Sequence, residues 1–80
     1  YTNSLEDIIT ETLVEILHVK SEDVLEDESF LDMGMDSITE LEMVNSINKK
    51  LEIKLMPTDL FVYDTVTELV KFIRNEFLDQ

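Results

Sequence analysis

The sequence predicts an all-α fold, a small helical bundle of three long helices plus one short helix. Apolar residues recur every three or four positions along most of the chain, which is the helical period. One glycine and one proline in 80 residues leave few of the turn signals that hairpins and strand ends need. Eighty residues suffice for one apolar core, so we expect residues 1–80 to form a single domain.

The first long helix is expected from about Ser4 to His18. Apolar side chains and one threonine fall on one stripe of this segment, at offsets of three and four. The stripe consists of Leu5, Ile8, Ile9, Thr12, Leu13, Ile16 and Leu17. Glu6 and Asp7 suit the positive end of the helix dipole.

A long connection is expected from Val19 to Asp36, because this segment shows no sustained helical stripe. Loops of this length are uncommon in compact domains unless they have a function. Val24, Phe30 and Leu31 are expected to anchor the connection against the helices.

The second long helix is expected from Ser37 to about Leu51. The predicted buried stripe consists of Leu41, Val44, Ile47 and Leu51, and the predicted solvent-facing residues are Glu40, Glu42, Asn45 and Lys49. Ile38 and Met43 are placed at the edge of that stripe or off it. Exposed apolar residues beside acids indicate a contact patch.

The short helix is expected at Asp59–Tyr63, where it would insert Leu60 and Phe61 into the core. The last helix is expected to begin at Thr65, because Thr-Val-Thr-Glu fits the capping-box pattern. Its predicted inward stripe consists of Val66, Leu69, Val70, Ile73 and Phe77.

The net charge of −13 excludes several classes of partner. Nucleic acid and anionic lipid would both be repelled by this surface. No apolar run approaches the roughly 20 residues that span a bilayer, and we expect a cytoplasmic protein without membrane contact. Nine acids and no lysine or arginine lie between Glu22 and Glu42, which fits either a solvated face or a docking surface for basic protein partners.

The chain contains few residues that could bind a metal or take part in redox chemistry. The chain has no cysteine and a single histidine, which is too few ligands for an ordinary zinc site. We therefore expect no bound metal.

Ser37 is the candidate functional residue. A hydroxyl at a helix N-terminus lies where unpaired backbone N–H groups and the helix dipole favour a phosphate. Ser-Ile-Thr-Glu also fits a capping box, so Ser37 could simply cap the second helix. Asp36 could take over that role and leave the hydroxyl free. Nucleophilic catalysis would need a base, and His18 is expected at the far end of another helix.

Residues 30–38, Phe-Leu-Asp-Met-Gly-Met-Asp-Ser-Ile, resemble the attachment site of acyl carrier protein domains, Phe-x-Asp-Leu-Gly-x-Asp-Ser-Leu. Residues 60–65, Leu-Phe-Val-Tyr-Asp-Thr, resemble the Leu-Phe-x-Tyr-Pro-Thr element of modular polyketide synthase carriers, with Asp64 in place of proline. The resemblance covers nearly the whole chain. It implies a carrier domain cut from a larger multidomain synthase.

The resemblance implies that Ser37, next to Asp36, receives a 4′-phosphopantetheine arm from coenzyme A. A separate phosphopantetheinyl transferase with Mg²⁺ would attach the arm, and its terminal thiol would hold acyl or polyketide intermediates as thioesters. The chain itself would be a carrier without catalytic activity. It would present these intermediates to a ketosynthase, an acyltransferase and other synthase domains with basic docking patches.

By the same resemblance, the residues that contact the basic rims of the partners would be Asp36, Ile38, Glu42 and Asn45. Met35 and Met43 would add apolar contacts to this partner-binding set. Leu41, Val44 and Ile47 would line the inner core. Two alternatives stay open: a stand-alone acyl carrier, for example of the fatty-acid type, and an acidic helical interaction module that is never modified.

Overall fold

The computed structural model describes residues 4–78, which form a bundle of four α-helices without a β-strand in this range. The helices are α1 (Leu5–Leu17), α2 (Ser37–Leu51), α3 (Asp59–Val62) and α4 (Val66–Ile73). A π-helical turn at Arg74–Leu78 prolongs α4. The predicted class, three long helices plus a short one, is confirmed.

A side-chain cap begins α1, and one lysine of α2 joins the two helices. The Ser4 hydroxyl accepts a hydrogen bond from the Asp7 N–H and begins the helix. Thr12 is fully buried, and its hydroxyl donates to the Ile8 carbonyl at 2.8 Å. Lys50 of α2 donates to the same hydroxyl at 3.0 Å and pairs with Glu15 at 3.1 Å. The only buried polar side chain among residues 4–78 is therefore fully satisfied.

The side of α2 that faces the core differs from the prediction. Met43, Val44 and Ile47 are buried, whereas Leu41 is 50% exposed. Residues advance by about 100° around a helix, so Leu41 lies roughly 100° from the middle of the buried face. The expectations that Leu41 lines the core and that Met43 lies at its edge are therefore wrong. Spacings of three and four residues fit both stripes, and packing into the core against α1 selects the one with Met43.

The long connection between α1 and α2 is held by hydrogen bonds to the start of α4. The Phe30 N–H donates to the Asp64 carbonyl at 2.8 Å, and the Thr67 N–H donates to the Glu26 carbonyl at 3.1 Å. Phe30 is buried as predicted, but Leu31 is exposed and does not anchor the connection. A short 3₁₀ helix at Ser21–Asp23, which the sequence pattern did not predict, interrupts it.

The last helices pack as predicted except at Phe61 and at Phe77, which is only partly buried. Leu60, Val66, Leu69, Val70 and Ile73 are buried. Phe61 is exposed, because α3 is a single turn and only one of its two neighbouring large side chains can point inward. Three aromatic side chains form a cluster at α4 and the turn that follows it. The ring of Phe72 stacks on that of Tyr63, with 4.3 Å between the ring centroids, and meets the ring of Phe77 edge-on.

Asp36 begins α2 through a reciprocal capping box with Thr39. Its Oδ1 accepts from the Ile38 N–H at 3.0 Å and the Thr39 N–H at 2.9 Å. In return, the Asp36 N–H donates to the Thr39 hydroxyl at 2.8 Å. The hydrogen bond from the Thr39 N–H, followed by that from the Thr39 hydroxyl, lowers the pKa of Asp36 below its usual 3.8.

The assignment of the buried face predicts that two neighbouring apolar residues of α2 respond differently to truncation. Met43→Ala should destabilise the fold by about 2–5 kcal/mol, because it leaves a cavity in the core. Leu41→Ala should cost about 0.5 kcal/mol or less, as for a surface residue. Urea unfolding followed by far-UV circular dichroism measures both. Equal losses would contradict the rotation of α2 described above.

The capping box predicts how Asp36 affects stability in acid. Folding lowers the pKa of the Asp36 carboxyl. As the pH falls, the unfolded chain therefore takes up a proton at this carboxyl before the folded chain does. The stabilisation is therefore complete above the usual value of 3.8 and is lost as the pH falls through the lower value of the folded state. Asp36→Asn keeps the capping oxygen without titrating, so its melting temperature should fall less than that of the wild type across this range.

Asp32→Asn is the control for this experiment, because it removes the same charge from the exposed loop without touching the cap. Thermal unfolding from about pH 6 to about pH 3 compares the three proteins. Parallel melting curves for Asp36→Asn and the wild type would contradict the role of the cap.

Candidate functional site

Ser37 is the first residue of α2, and its side chain is exposed. The cap of this helix is made by Asp36 and Thr39, not by Ser37 and Glu40. None of the residues from 4 to 78 forms a hydrogen bond with the Ser37 hydroxyl. Of the two roles that the sequence left open, capping is therefore taken by Asp36, and the Ser37 hydroxyl is accessible to another molecule.

The electrostatic environment of Ser37 differs from that of a helix end whose first N–H groups are all unpaired. The Asp36 carboxylate occupies the N–H groups of Ile38 and Thr39, which were expected to face a phosphate. It is ionised at neutral pH, because hydrogen bonds from Thr39 lower its pKa. A phosphate on Ser37 would thus lie in solvent beside a carboxylate, and the helix dipole would favour it.

Among residues 4–78, the structure shows neither a catalytic base nor a set of metal ligands at Ser37. His18 is the exposed C-terminal cap of α1, in a left-handed conformation with φ 57°. No group of three or more His, Cys, Asp or Glu side chains in residues 4–78 is placed to hold a metal ion. In the same part of the chain, no helix is long and apolar enough to cross a membrane.

The predicted partner-binding residues divide into an exposed and a buried group. Ile38, Glu42 and Asn45 are exposed and lie on one face of α2, at spacings of three and four residues. Leu41 shares this face, which we call the outer face of α2 (Ile38, Leu41, Glu42 and Asn45). Met35 and Met43 are buried in the core, so the expectation that they add surface contacts is wrong.

A cavity of about 120 Å³ opens between the segment that precedes α2, the first turn of α2 and α3. Its floor is formed by the buried side chains of Phe30, Met35 and Leu60, and its rim by Leu31, Glu40, Phe61 and Asp64. Glu40 is half-buried, contrary to the expectation that it faces water.

The sequence analysis missed this cavity, although the spacing contains a signal for it. Glu40, Met43, Val44 and Ile47 follow each other at intervals of three, one and three, which is one continuous helical face. Because Met43 and Ile47 are fully buried, the first residue of that face lies at the edge of the core.

Comparisons with known proteins agree with this geometry. The family described as "Phosphopantetheine attachment site" matches residues 7–73. The polyketide synthase PksL of Bacillus subtilis (strain 168) is 35% identical over 92% of this chain, which spans only 2% of PksL. An acyl carrier protein of Sulfurovum sp. (strain NBC37-1) is 34% identical over 90% of this chain and 97% of its own length.

Two solved structures share the fold. The NMR structure of an HMG-ACPI domain from the CurA module of Lyngbya majuscula superposes with a TM-score of 0.86. It is 30% identical, over 95% of this chain and 77% of that one. The crystal structure of a free-standing peptidyl carrier protein from Acinetobacter baumannii has a TM-score of 0.85 and 26% identity, over 90% of each chain.

This family carries 4′-phosphopantetheine on a serine, and its match extends over most of the residues that the structure describes. The relatives are polyketide synthases and acyl carrier proteins, and the two solved carrier structures share the helical architecture. The chain belongs to the phosphopantetheine-attachment family and is a carrier protein domain.

Proposed function

We propose that Ser37 is the attachment site of the 4′-phosphopantetheine arm and that the chain carries polyketide intermediates as thioesters on it. The observation that carries this proposal is the exposed Ser37 hydroxyl at the start of α2, which is left without a hydrogen bond because Asp36 caps the helix. Ser37 also lies within the matched family region. The chain acts as a substrate of a phosphopantetheinyl transferase and does not itself catalyse the loading step.

In the loading step, the Ser37 oxygen forms a phosphodiester bond with the phosphate that bears pantetheine in coenzyme A. The pyrophosphate bond of coenzyme A breaks, adenosine 3′,5′-bisphosphate leaves, and the hydroxyl proton passes to a base of the transferase. The carrier needs only to present an accessible hydroxyl. We expect this to happen in the cytoplasm, where coenzyme A supplies the arm.

The outer face of α2 is the proposed docking surface for synthase domains. Ile38 and Leu41 expose large apolar side chains there, and Glu42 provides a charge for the basic rim of a partner. Complementary charge raises association rates without requiring high affinity. Such contacts suit a carrier that visits several partners in turn. Ketosynthase, acyltransferase and transferase domains are the proposed partners.

The similarity to PksL and to the CurA carrier domain favours a place within a multidomain polyketide synthase. The similarity to the acyl carrier protein of Sulfurovum, of which this chain covers 97%, favours a second candidate. In that case the chain would be a stand-alone acyl carrier with the same loading chemistry.

Loading at Ser37 can be tested by intact-mass measurement. Incubation of the wild type with coenzyme A, Mg²⁺ and a broad-specificity transferase should add the mass of one phosphopantetheine group. Ser37→Ala should abolish the addition, because the attacking oxygen is gone. Ser21→Ala, at another exposed serine that begins a short helix, is the matched control and should be loaded normally. An unmodified wild type, or a loaded Ser37→Ala, would refute the proposal.

The docking surface can be tested with a loaded carrier and a ketosynthase. Ile38→Ala should raise the apparent KM for the carrier roughly fivefold to tenfold, because it removes an exposed apolar side chain from the centre of the contact. Leu25→Ala removes a similarly exposed side chain from the long connection and should leave KM unchanged. Equal effects of the two substitutions would place the docking surface elsewhere.

A further inference from the structure

The side chain of Asn48 connects α2 to the segment that follows it. Its Nδ2 donates to the Leu55 carbonyl at 3.0 Å, and its Oδ1 accepts from the Leu55 N–H at 2.7 Å. We call these two hydrogen bonds the Asn48 clamp. One side-chain amide thus satisfies both backbone groups of a residue seven positions later, as a neighbouring β-strand would. The side chain of Leu55 is buried in the core, so the clamp fixes this residue from both its backbone and its side chain.

The residue after the clamp, Met56, is held at the start of α3. Its N–H donates to the Asp59 carboxylate at 2.9 Å, and its carbonyl accepts from the Asp59 N–H at 2.9 Å. α3 is a single turn that buries only Leu60, and an isolated helix of this length is not stable in water. The positions of Met56 and α3 therefore depend on the Asn48 clamp and on the packing of Leu60.

The clamp lies at the C-terminal end of the outer face of α2. Asn48 comes seven residues after Leu41 and three after Asn45, and side chains at these spacings lie on one side of a helix. Met56 directly follows the clamped residue, and its side chain is 58% exposed. The clamp thus holds a large exposed apolar side chain at the end of a face that already exposes apolar groups.

We propose that Asn48 is a positioning residue for docking: the clamp holds Met56 at the end of the outer face of α2, and a ketosynthase domain contacts the two as one surface. The inference rests on the proposed function, which makes the outer face the docking surface. Asn48 acts through the backbone of Leu55 and does not itself touch the partner. Met56 adds the apolar contact, and Glu42 of the outer face provides the charge for the partner's basic rim.

A fixed connection matters for a carrier because its contacts with each partner are weak. Ordering a loop during binding costs free energy that is subtracted from the affinity. The clamp orders Met56 when the chain folds, so this cost does not arise when the partner arrives. An amide side chain carries both a donor and an acceptor, as a peptide group does. Replacing Asn48 by an apolar or a carboxylate side chain therefore removes at least one of the two hydrogen bonds.

The test measures the dissociation constant (Kd) of the unmodified chain for a ketosynthase domain, by fluorescence anisotropy of the chain labelled at its N-terminus. Asn48→Ala and Met56→Ala should each raise Kd roughly fivefold. The double variant should bind about as weakly as the weaker single variant, because Asn48 acts through Met56. Thr12→Val removes a buried hydroxyl that Lys50 binds, so it is the control for a general loss of stability and should leave Kd unchanged.

Amide hydrogen exchange shows whether the connection is released in the folded chain. In Asn48→Ala, the Leu55 amide should exchange roughly tenfold faster, while the amide of Ile47 in α2 keeps its wild-type rate. Thr12→Val should not change the exchange of Leu55. The inference would be overturned if Asn48→Ala bound the ketosynthase as tightly as the wild type, if its effect on Kd multiplied with that of Met56→Ala, or if the exchange of Leu55 stayed the same.

Loading at Ser37 is measured separately by intact mass, which distinguishes failure of this inference from failure of the proposed function. A chain that is not loaded but binds the ketosynthase with the pattern above would refute the attachment site and support the role of Asn48. A chain that is loaded but binds equally well with Asn48→Ala would refute the role of Asn48 alone. A wild type that does not bind the ketosynthase would reject both the docking surface and this inference.

Discussion

The reciprocal capping box between Asp36 and Thr39 is the constraint on which the rest of the site depends. It satisfies two of the N–H groups at the start of α2 and makes Ser37 the first helical residue. Because the cap uses the residue before the serine, the serine hydroxyl is not needed for the fold. The residue that we propose as the attachment site can then be exposed without loss of a hydrogen bond that the fold needs.

The rotation of α2 divides the surroundings of Ser37 into two surfaces with different roles. Met43 and Ile47 are directed inward, which turns Ile38 and Leu41 outward and brings Glu40 to the edge of the core. The outer face exposes apolar side chains on a chain whose net charge is −13. The edge near Glu40 opens into the cavity. The outer face is the proposed docking surface, and the other surface forms one side of the cavity.

The long connection contributes to the site through its attachment to the start of α4. The hydrogen bond from Phe30 to the Asp64 carbonyl holds the segment that precedes Ser37 against the turn that follows α3. Two residues of the cavity rim lie on either side of this link. Leu31 follows Phe30, and Phe61 belongs to α3. The position of the segment before Ser37 therefore depends on contacts between segments that are far apart in sequence.

The sequence by itself determined the helices, their order and the serine at the start of α2, because helical periodicity and capping patterns are local properties. It could not decide which residues of α2 are buried, since the stripes containing Leu41 and Met43 both repeat at helical spacing. Nor could it show that Leu31 and Phe61 are exposed around a cavity, or that Glu40 is half-buried there. Those outcomes depend on how the helices and the long connection pack around a common core, which local sequence patterns do not specify.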